Sequence, residues 1–522
     1  MREAGGPGRF RRIARRGAHL LCAGFVLAGS ASLGRELPGQ SYSLGLDRAF
    51  GAAALQADPR SSTDPAPIGE PTLRPSWSLE GGRLENAPVY SAGRRFLTAA
   101  GEMALIQLLP WIYDRYIENE DFARISWRTV SENFKAGYGF DTDHFDINQS
   151  SHPYQGSLFF EAGRSNGYTY WESGLFALAG SFIWECCMEN TQPSWNDLVN
   201  TTLGGMARGE VQHRLSILIL DNTATGGNRL FREIAAAVIN PVGAVTRLVN
   251  GDTSRLYPNP EDRYPDGFSL SAELGYRHVE GPLVQESNQG VVSFSARYGD
   301  PFVADVREPF EAFNAAIDLD FPGDRVITRF EERGILRSWE LTDRASTARH
   351  VFEFSQEYEY INNQAQVFGA QMFSGGLLSR YTLGRSFIAA TDLDVLGIPL
   401  AGVKTTNFEN PQTGRNYDYG PGGGALAAVR LYAGERQVLS VGYGVVWLHT
   451  VNGTSDDNTL QFFRATATVP ITGPFGVGGG YRWYSRKTTY AGGFFEPRST
   501  QSEWRVFLSI AFGASGIRTP KS

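Results

Sequence analysis

From about Gly267 to Gly513 the chain alternates apolar and small or polar residues with a period of two. In Arg436–Trp447, Leu439, Val441, Tyr443, Val445 and Trp447 fall on one face, with Ser440, Gly442 and Gly444 on the other. The last such segment sets Trp504, Val506, Leu508, Ile510 and Phe512 against Arg505, Ser509 and Gly513. One greasy face and one polar face is the pattern of a strand with lipid on one side and a polar lumen on the other. About twelve such strands are expected, with ten or fourteen left open by the ambiguous stretch Val367–Ala390, an even count being the rule for bacterial single-chain barrels. They begin near Phe268, Gly290, Pro309, Val326, Thr347, Ala365, Leu377 or Arg385, Gly423, Arg436, Thr459, Gly473 and Gln501. Turn signals such as Gly299-Asp300-Pro301, Pro322-Gly323-Asp324, Asn452-Gly453 and Gly473-Pro474 separate them. The stretch Glu409–Gly424 reads as an external loop. A soluble β-sandwich would show the same alternation. The outward aromatics, together with the export signal described below, favour a membrane barrel.

Upstream the period changes. Phe96, Ala99, Met103, Ile106 and Leu109 recur at three or four, which predicts a helix over about 91–116 that Pro110 kinks or ends. Further helices are expected from near Pro153, over about Tyr170–Glu189, from an N-cap at Ser194 to about Leu220, and over Arg229–Val249 with a break at Asn240-Pro241. The fold class is therefore α+β, a helical domain at about 91–250 followed by an antiparallel transmembrane β-barrel at about 267–513. Residues 33–90, rich in Pro, Gly, Ser and Arg, read as a flexible lead-in. The helices are expected to lie on the periplasmic side or to plug the lumen.

The N-terminus carries a cationic stretch, Arg9 to Arg16, an apolar run from Ala18 to about Ala28, and small residues Gly29-Ser30-Ala31-Ser32, the layout of a secretory signal peptide over residues 1–32. Beyond it no uninterrupted run of about twenty apolar residues appears. The best candidates are Phe96–Tyr113, which contains Glu102 and Gln107, and Gly174–Met188. Such a chain can pass the inner membrane without being stopped, so the expected location is the outer membrane, with its lipid and the barrel-assembly machinery as partners.

Composition agrees. The 522 residues include 60 glycines and 12% aromatics, and the mean hydropathy of -0.26 suits a barrel whose strands are half polar. A net charge of -7 without a basic run in the mature chain gives no support to nucleic-acid binding. Cys22 falls in the signal; Cys186 and Cys187 are adjacent and read as small buried residues, not a disulfide.

Candidate chemistry is concentrated in His152–Arg214. The stretch contains His152-Pro153-Tyr154-Gln155-Gly156, Arg164-Ser165-Asn166-Gly167, Trp171-Glu172, Trp184-Glu185 with Glu189, and Pro193-Ser194, Asp197-Leu198, Thr201, Gly204-Gly205, Gly209-Glu210. In that order and spacing it resembles an uncharacterised bacterial domain family, a domain of unknown function found ahead of outer-membrane barrels, over roughly residues 95–250. The resemblance implies no known activity. A looser similarity, through Glu189, Gln192, Asp197, Asn200, Gly204 and Gly209, is to the VanZ-like membrane family, whose pattern lacks the cysteine pair.

Three readings of these residues stand side by side. In the first, His152, Arg164, Glu185, Glu189 and Asp197 form a satisfied polar network that locks the helices, since a buried acid must be paired, protonated or metal-bound. In the second, His152 is a general acid or base positioned by Glu185 or Asp197, and Arg164 holds an anionic group such as lipid phosphate. In the third, Glu185, Glu189, Glu210 and His213 hold a cation. Glu185 and Glu189, four apart, would share a helix face, with His152, Arg164, His213 or Arg214 as partners. Asp197, Thr201, Gly205 and Gly209 make a row of small residues suited to close helix packing. Asp141, Asp143 and Asp146 read as a solvated acidic turn. No Gly-x-Ser-x-Gly elbow, zinc-type cysteine cluster or phosphate loop occurs, and no cofactor or metal is expected. The function classes left open are an envelope protein anchored by its barrel, an outer-membrane enzyme acting on lipid or another envelope component, and a small-solute channel.

Overall fold

A computed structural model describes residues 93–514 apart from 260–263, 283–286, 323–324, 344–345, 385, 406–414, 491–492 and 496–497. The expected signal and lead-in lie outside the described residues. The helices are α1 (Phe96–Tyr113), α2 (Trp127–Ala136), α3 (His152–Arg164), α4 (Tyr170–Ile183), α5 (Trp195–Val199), α6 (Gly205–Ile219), α7 (Gly226–Ile239) and α8 (Pro241–Val249). Four π-helical turns, 114–118, 147–151, 184–188 and 200–204, extend or join them. Pro110 neither ends nor breaks α1, which runs on to Tyr113. Helix α2 was not foreseen in the polar stretch 117–150; Ser126 and Thr129 cap it reciprocally.

The wall strands are β1 (Phe268–Glu280), β2 (Ser287–Tyr298), β3 (Phe313–Phe321), β4 (Ile327–Glu340), β5 (Ala348–Asn362), β6 (Val367–Leu383), β7 (Phe387–Lys404), β8 (Tyr417–Ala433), β9 (Arg436–His449), β10 (Asp457–Thr472), β11 (Phe475–Tyr490) and β12 (Ser499–Ala514). Each pairs antiparallel with its sequence neighbour, and β1 pairs with β12 from Phe268↔Ala514 to Glu280↔Ser502, which closes the ring. A two-residue strand, Phe494–Phe495, extends the β11 side. The expected external loop is shorter than its sequence suggested: Tyr417–Gly424 already belongs to β8, where Gly422, Gly423 and Gly424 pair with Leu448, Trp447 and Val446. Glycine there avoids a clash, since a Cβ on Gly422 would sit 2.0 Å from the Trp447 carbonyl oxygen.

Ion pairs that cross the ring identify the inward face. Arg464 of β10 reaches Glu331 of β4 at 2.9 Å and also Glu359 of β5. Arg505 of β12 and Arg482 of β11 reach Asp318 of β3 at 2.9 and 3.2 Å. Arg333 pairs with Glu353, Glu357, Asp392 and Asp394. A second lumenal layer is apolar and includes Phe368, Met372, Leu460, Phe462 and Tyr484. The β2–β3 connection, residues 299–312, enters from the end where β1 begins: Asp300 pairs with Arg380 at 2.9 Å, and Phe302 lies under the Arg380 guanidinium. Among the described residues, what fills the lumen is the barrel's own side chains and this connection. The described helices lie outside the lumen, contrary to the expectation of a plug.

They pack against the outside of the wall. By strand alternation, Phe330, Glu332, Gln356, Tyr358, Tyr360 and Gln371 point opposite to the lumenal charges. These are the residues that meet the helical module. Gln356 Nε2 donates to the Leu203 carbonyl at 2.9 Å, Tyr358 OH donates to the Gln149 carbonyl, and the Arg208 guanidinium lies 3.9 Å from the Phe330 ring centre. Phe145 stacks on Tyr360, and Tyr170 stacks on Phe310. A common apolar cluster containing Phe159, Phe160, Met206, Tyr298, Phe313 and Tyr358 joins the two parts.

Inside the module the small residues do what their spacing predicted. Gly156 of α3 and Gly205 of α6 bring two backbones together; a Cβ on Gly156 would lie 1.8 Å from the Thr201 carbonyl oxygen. A Cβ on Gly209 would meet the Phe160 ring at 2.5 Å.

Candidate functional site

The polar residues singled out from the sequence fall in two clusters, at opposite ends of α3. The first forms a cap beside the far-end loops of the barrel. Here His152 Nε2 lies 3.3 Å from Asp197 Oδ1, and His152 Nδ1 lies 3.4 Å from Thr201 Oγ1. The Ser194 hydroxyl caps α5 and also meets Asp197 Oδ2. Glu185 Oε2 accepts from the Ser194 backbone N–H at 2.9 Å. Asn196 Nδ2 donates to Asp197 Oδ1 at 2.8 Å and to Asp141 Oδ1 at 2.7 Å. Asn148 Nδ2 donates to Asp141 and to Tyr417 OH, both at 2.7 Å. The barrel closes the cap through Tyr417 OH, which donates to the Asp143 carbonyl, and Arg415, which donates to the Asp141 carbonyl at 3.0 Å.

Burial, with Asp197 and Glu189 near by, pushes the Glu185 carboxyl up to about 10. Burial beside Asp141 likewise holds Asp197 well above the usual carboxylate range. Glu185 and Asp197 are therefore favoured as neutral acids, held by neutral donors, with His152 in contact at both ring nitrogens.

The second cluster lies at the other end of α3. Arg164 grips Glu210 through Nε at 2.8 Å and Nη2 at 3.2 Å, and Arg214 Nε donates to the same carboxylate at 2.8 Å. Arg214 Nη2 also donates to the Pro309 carbonyl of the β2–β3 connection at 2.8 Å. His213 Nδ1 meets Glu161 Oε2 at 3.2 Å.

Of the five residues singled out from sequence, His152, Glu185, Glu189 and Asp197 gather at the cap, and Arg164 does not. Glu185 and Glu189 do not share a helical face, because the π turn 184–188 intervenes and Glu189 takes an extended backbone. Their expected basic partners are replaced by Ser194 N–H for Glu185, and by Trp184 Nε1 (2.5 Å) and Thr191 Oγ1 (2.9 Å) for Glu189. The cation set also divides, with Glu210 and His213 at the opposite end from Glu185 and Glu189. The aspartates read as a solvated turn contribute Asp141, which is bound by Asn148 and Asn196. Those amides, with Tyr417 and Arg415, went unrecognised in the sequence; the nearest signal was the density of Asp and Asn before and after His152. Cys186 and Cys187 are free thiols; Cys186 is buried as expected, whereas Cys187 is half-buried. In the lumen Glu353, Asp392 and Asp394 converge, and Arg333 pairs with all three.

The cap and the helices that carry it coincide with a recognised sequence unit. Residues 137–242 match DUF3943, a domain of unknown function. The match is narrower than the resemblance read from sequence and spans the cap through α7. No curated protein matches the chain. Among solved structures, the NanC porin is similar at 8% identity, covering 46% of this chain and 98% of its own, with a TM-score of 0.25. The toluene transporter TodX of Pseudomonas putida gives 9% identity, 49% and 91% coverage and a TM-score of 0.21. OmpT of Vibrio cholerae gives 7%, 47% and 99%, and 0.20. The closed twelve-strand ring of this chain rests on its own strand pairing.

Proposed function

We propose that this chain is an outer-membrane protein whose barrel is an anchor rather than a passage, and that the barrel holds the DUF3943 module rigidly against its wall. The observation that carries the reading is the lumenal bridging of opposite walls, above all Arg464 to Glu331 and Glu359. Bare outward positions such as Leu274, Val395, Val469 and Val506 supply the apolar belt that an outer-membrane location requires. Its signal peptide and the barrel-assembly machinery would bring it there. The cap acts as a lock: His152 ties the start of α3 to Asp197 and Thr201 through its two ring nitrogens. Conductance tests the reading. The purified full-length protein in planar bilayers is expected to stay silent, and steady single-channel steps would replace the anchor by a channel.

A further inference from the structure

The helices of the module are built inside out. Positions exposed on α1 include Leu97, Leu105, Leu108 and Leu109, whereas its polar residues Glu102 and Gln107 are buried. Glu102 accepts from Asn166 and Thr246, and Gln107 donates to the Gly180 carbonyl. Helix α4 exposes Trp171, Leu175, Leu178 and Phe182 and buries Ser173 and Ser181. Helix α7 exposes Leu230, Phe231, Ile234 and Val238, and α8 exposes Val245, Leu248 and Val249 while burying Thr246. A surface helix in water carries the reverse arrangement.

Two further facts say what covers these faces. The segment Phe96–Glu118 is long and apolar enough to cross a membrane, with only 17% of its window buried. At 1.5 Å per residue α1 alone is about 27 Å long, close to the ~25 Å apolar band of an outer-membrane barrel. The wall, moreover, changes character where the module sits. Beneath it the outward side chains include Glu332, Gln356 and Gln371, all buried, while away from it they include Leu274, Val429 and Val506, all exposed. The apolar belt of the barrel is interrupted there and resumes on the far side of the helices. Trp127 and Trp195 toward the cap and Trp171 at the opposite end stand exposed, where interfacial aromatic residues belong.

We propose that the helical module is embedded in the same membrane as the barrel, with lipid acyl chains covering the outward faces of α1, α4, α7 and α8. The inference rests on the outer-membrane reading above. The buried Glu102 and Gln107 fit an apolar surrounding, since their polar atoms are met by partners inside the module.

The test uses the full chain, with Cys22, Cys186 and Cys187 replaced by alanine, in phosphatidylcholine vesicles with brominated acyl chains. A bimane fluorophore is placed in turn at Leu108→Cys, Leu175→Cys, Ile234→Cys, the bare-wall control Val506→Cys and the water-facing control Lys135→Cys. The three module positions are expected to lose fluorescence as strongly as Val506, with Lys135 unaffected. Quenching at Val506 with module positions resembling Lys135 would overturn the embedding and leave the barrel reading intact. Absence of quenching at Val506 would remove both. Module positions that are unquenched and cross-link between copies would assign the face to a second chain, which also overturns the proposal.

Discussion

The two clusters at the ends of α3 solve one problem in opposite ways. Both bury carboxylates in a helical bundle. Around Glu210 the charge is kept and neutralised, with two guanidinium groups on one carboxylate. Around Glu185 and Asp197 the charge is suppressed, and amides, a hydroxyl and a backbone N–H hold the acids. A buried ion pair is strong only while both partners are present, whereas a neutral acid gives up little when it becomes an amide. The Glu210 cluster is a rigid clamp that also reaches the barrel through Arg214 and Pro309. The cap is sensitive to pH.

Glu210→Ala should break this contrast most severely. It strands Arg164 and Arg214, and a loss of about 3–5 kcal/mol is expected for one removed partner of a buried pair. Thermal unfolding followed by helical circular dichroism measures it, and a loss similar to that of a cap variant would erase the distinction between the clusters. Next in size is Gly156→Val, at the helix contact between the two clusters. Its side chain collides with the Thr201 carbonyl, and overpacking of this kind costs about 1–3 kcal/mol. Because Thr201 also touches His152, the change should loosen the cap while the β-sheet signal of the barrel persists.

The smallest change is the most diagnostic. Glu185→Gln keeps an acceptor for Ser194 N–H and should alter stability at pH 5 by less than about 1 kcal/mol. Its effect lies in the pH profile. In the folded chain the Glu185 carboxyl is raised from 4.5 to about 10, so the folded state keeps a proton that the unfolded state releases. The stabilisation is fully present below the unfolded value and is lost as pH rises toward the folded one. The melting temperature of the native chain should therefore fall from pH 5 to pH 9, and Glu185→Gln should flatten that slope. An unchanged slope would mean that Glu185 is ionised in the folded protein.

Much of the architecture was legible because it is local. Alternation placed twelve strands to within a few residues for most starts, and the three-to-four spacing located the long helices. Ser194 as a cap and the glycines as packing positions followed from residue type. The misses have physical causes. Helix α2 is short and its buried residue is the polar Asn133, so no apolar stripe announces it. The glycines of Pro421–Gly424 signalled a loop but serve close strand contacts. Arg164 falls with His152 in the polar-rich stretch His152–Arg214, yet thirteen residues of α3 put them at opposite ends of one helix. Glu185 and Glu189 were separated by a π turn, which no pattern of spacing announces.

The sequence by itself determined which segments are strands, which are helices, and that the strands have one apolar face, because these depend on neighbours a few residues apart. Only the tertiary structure decided that the helices lie outside the wall, and that lumenal arginines span it. It also decided that Glu210 rather than Glu185 meets Arg164. Those outcomes turn on which residues, tens to hundreds of positions apart, share a low-dielectric space, and an unpaired charge there costs more than any local preference can supply.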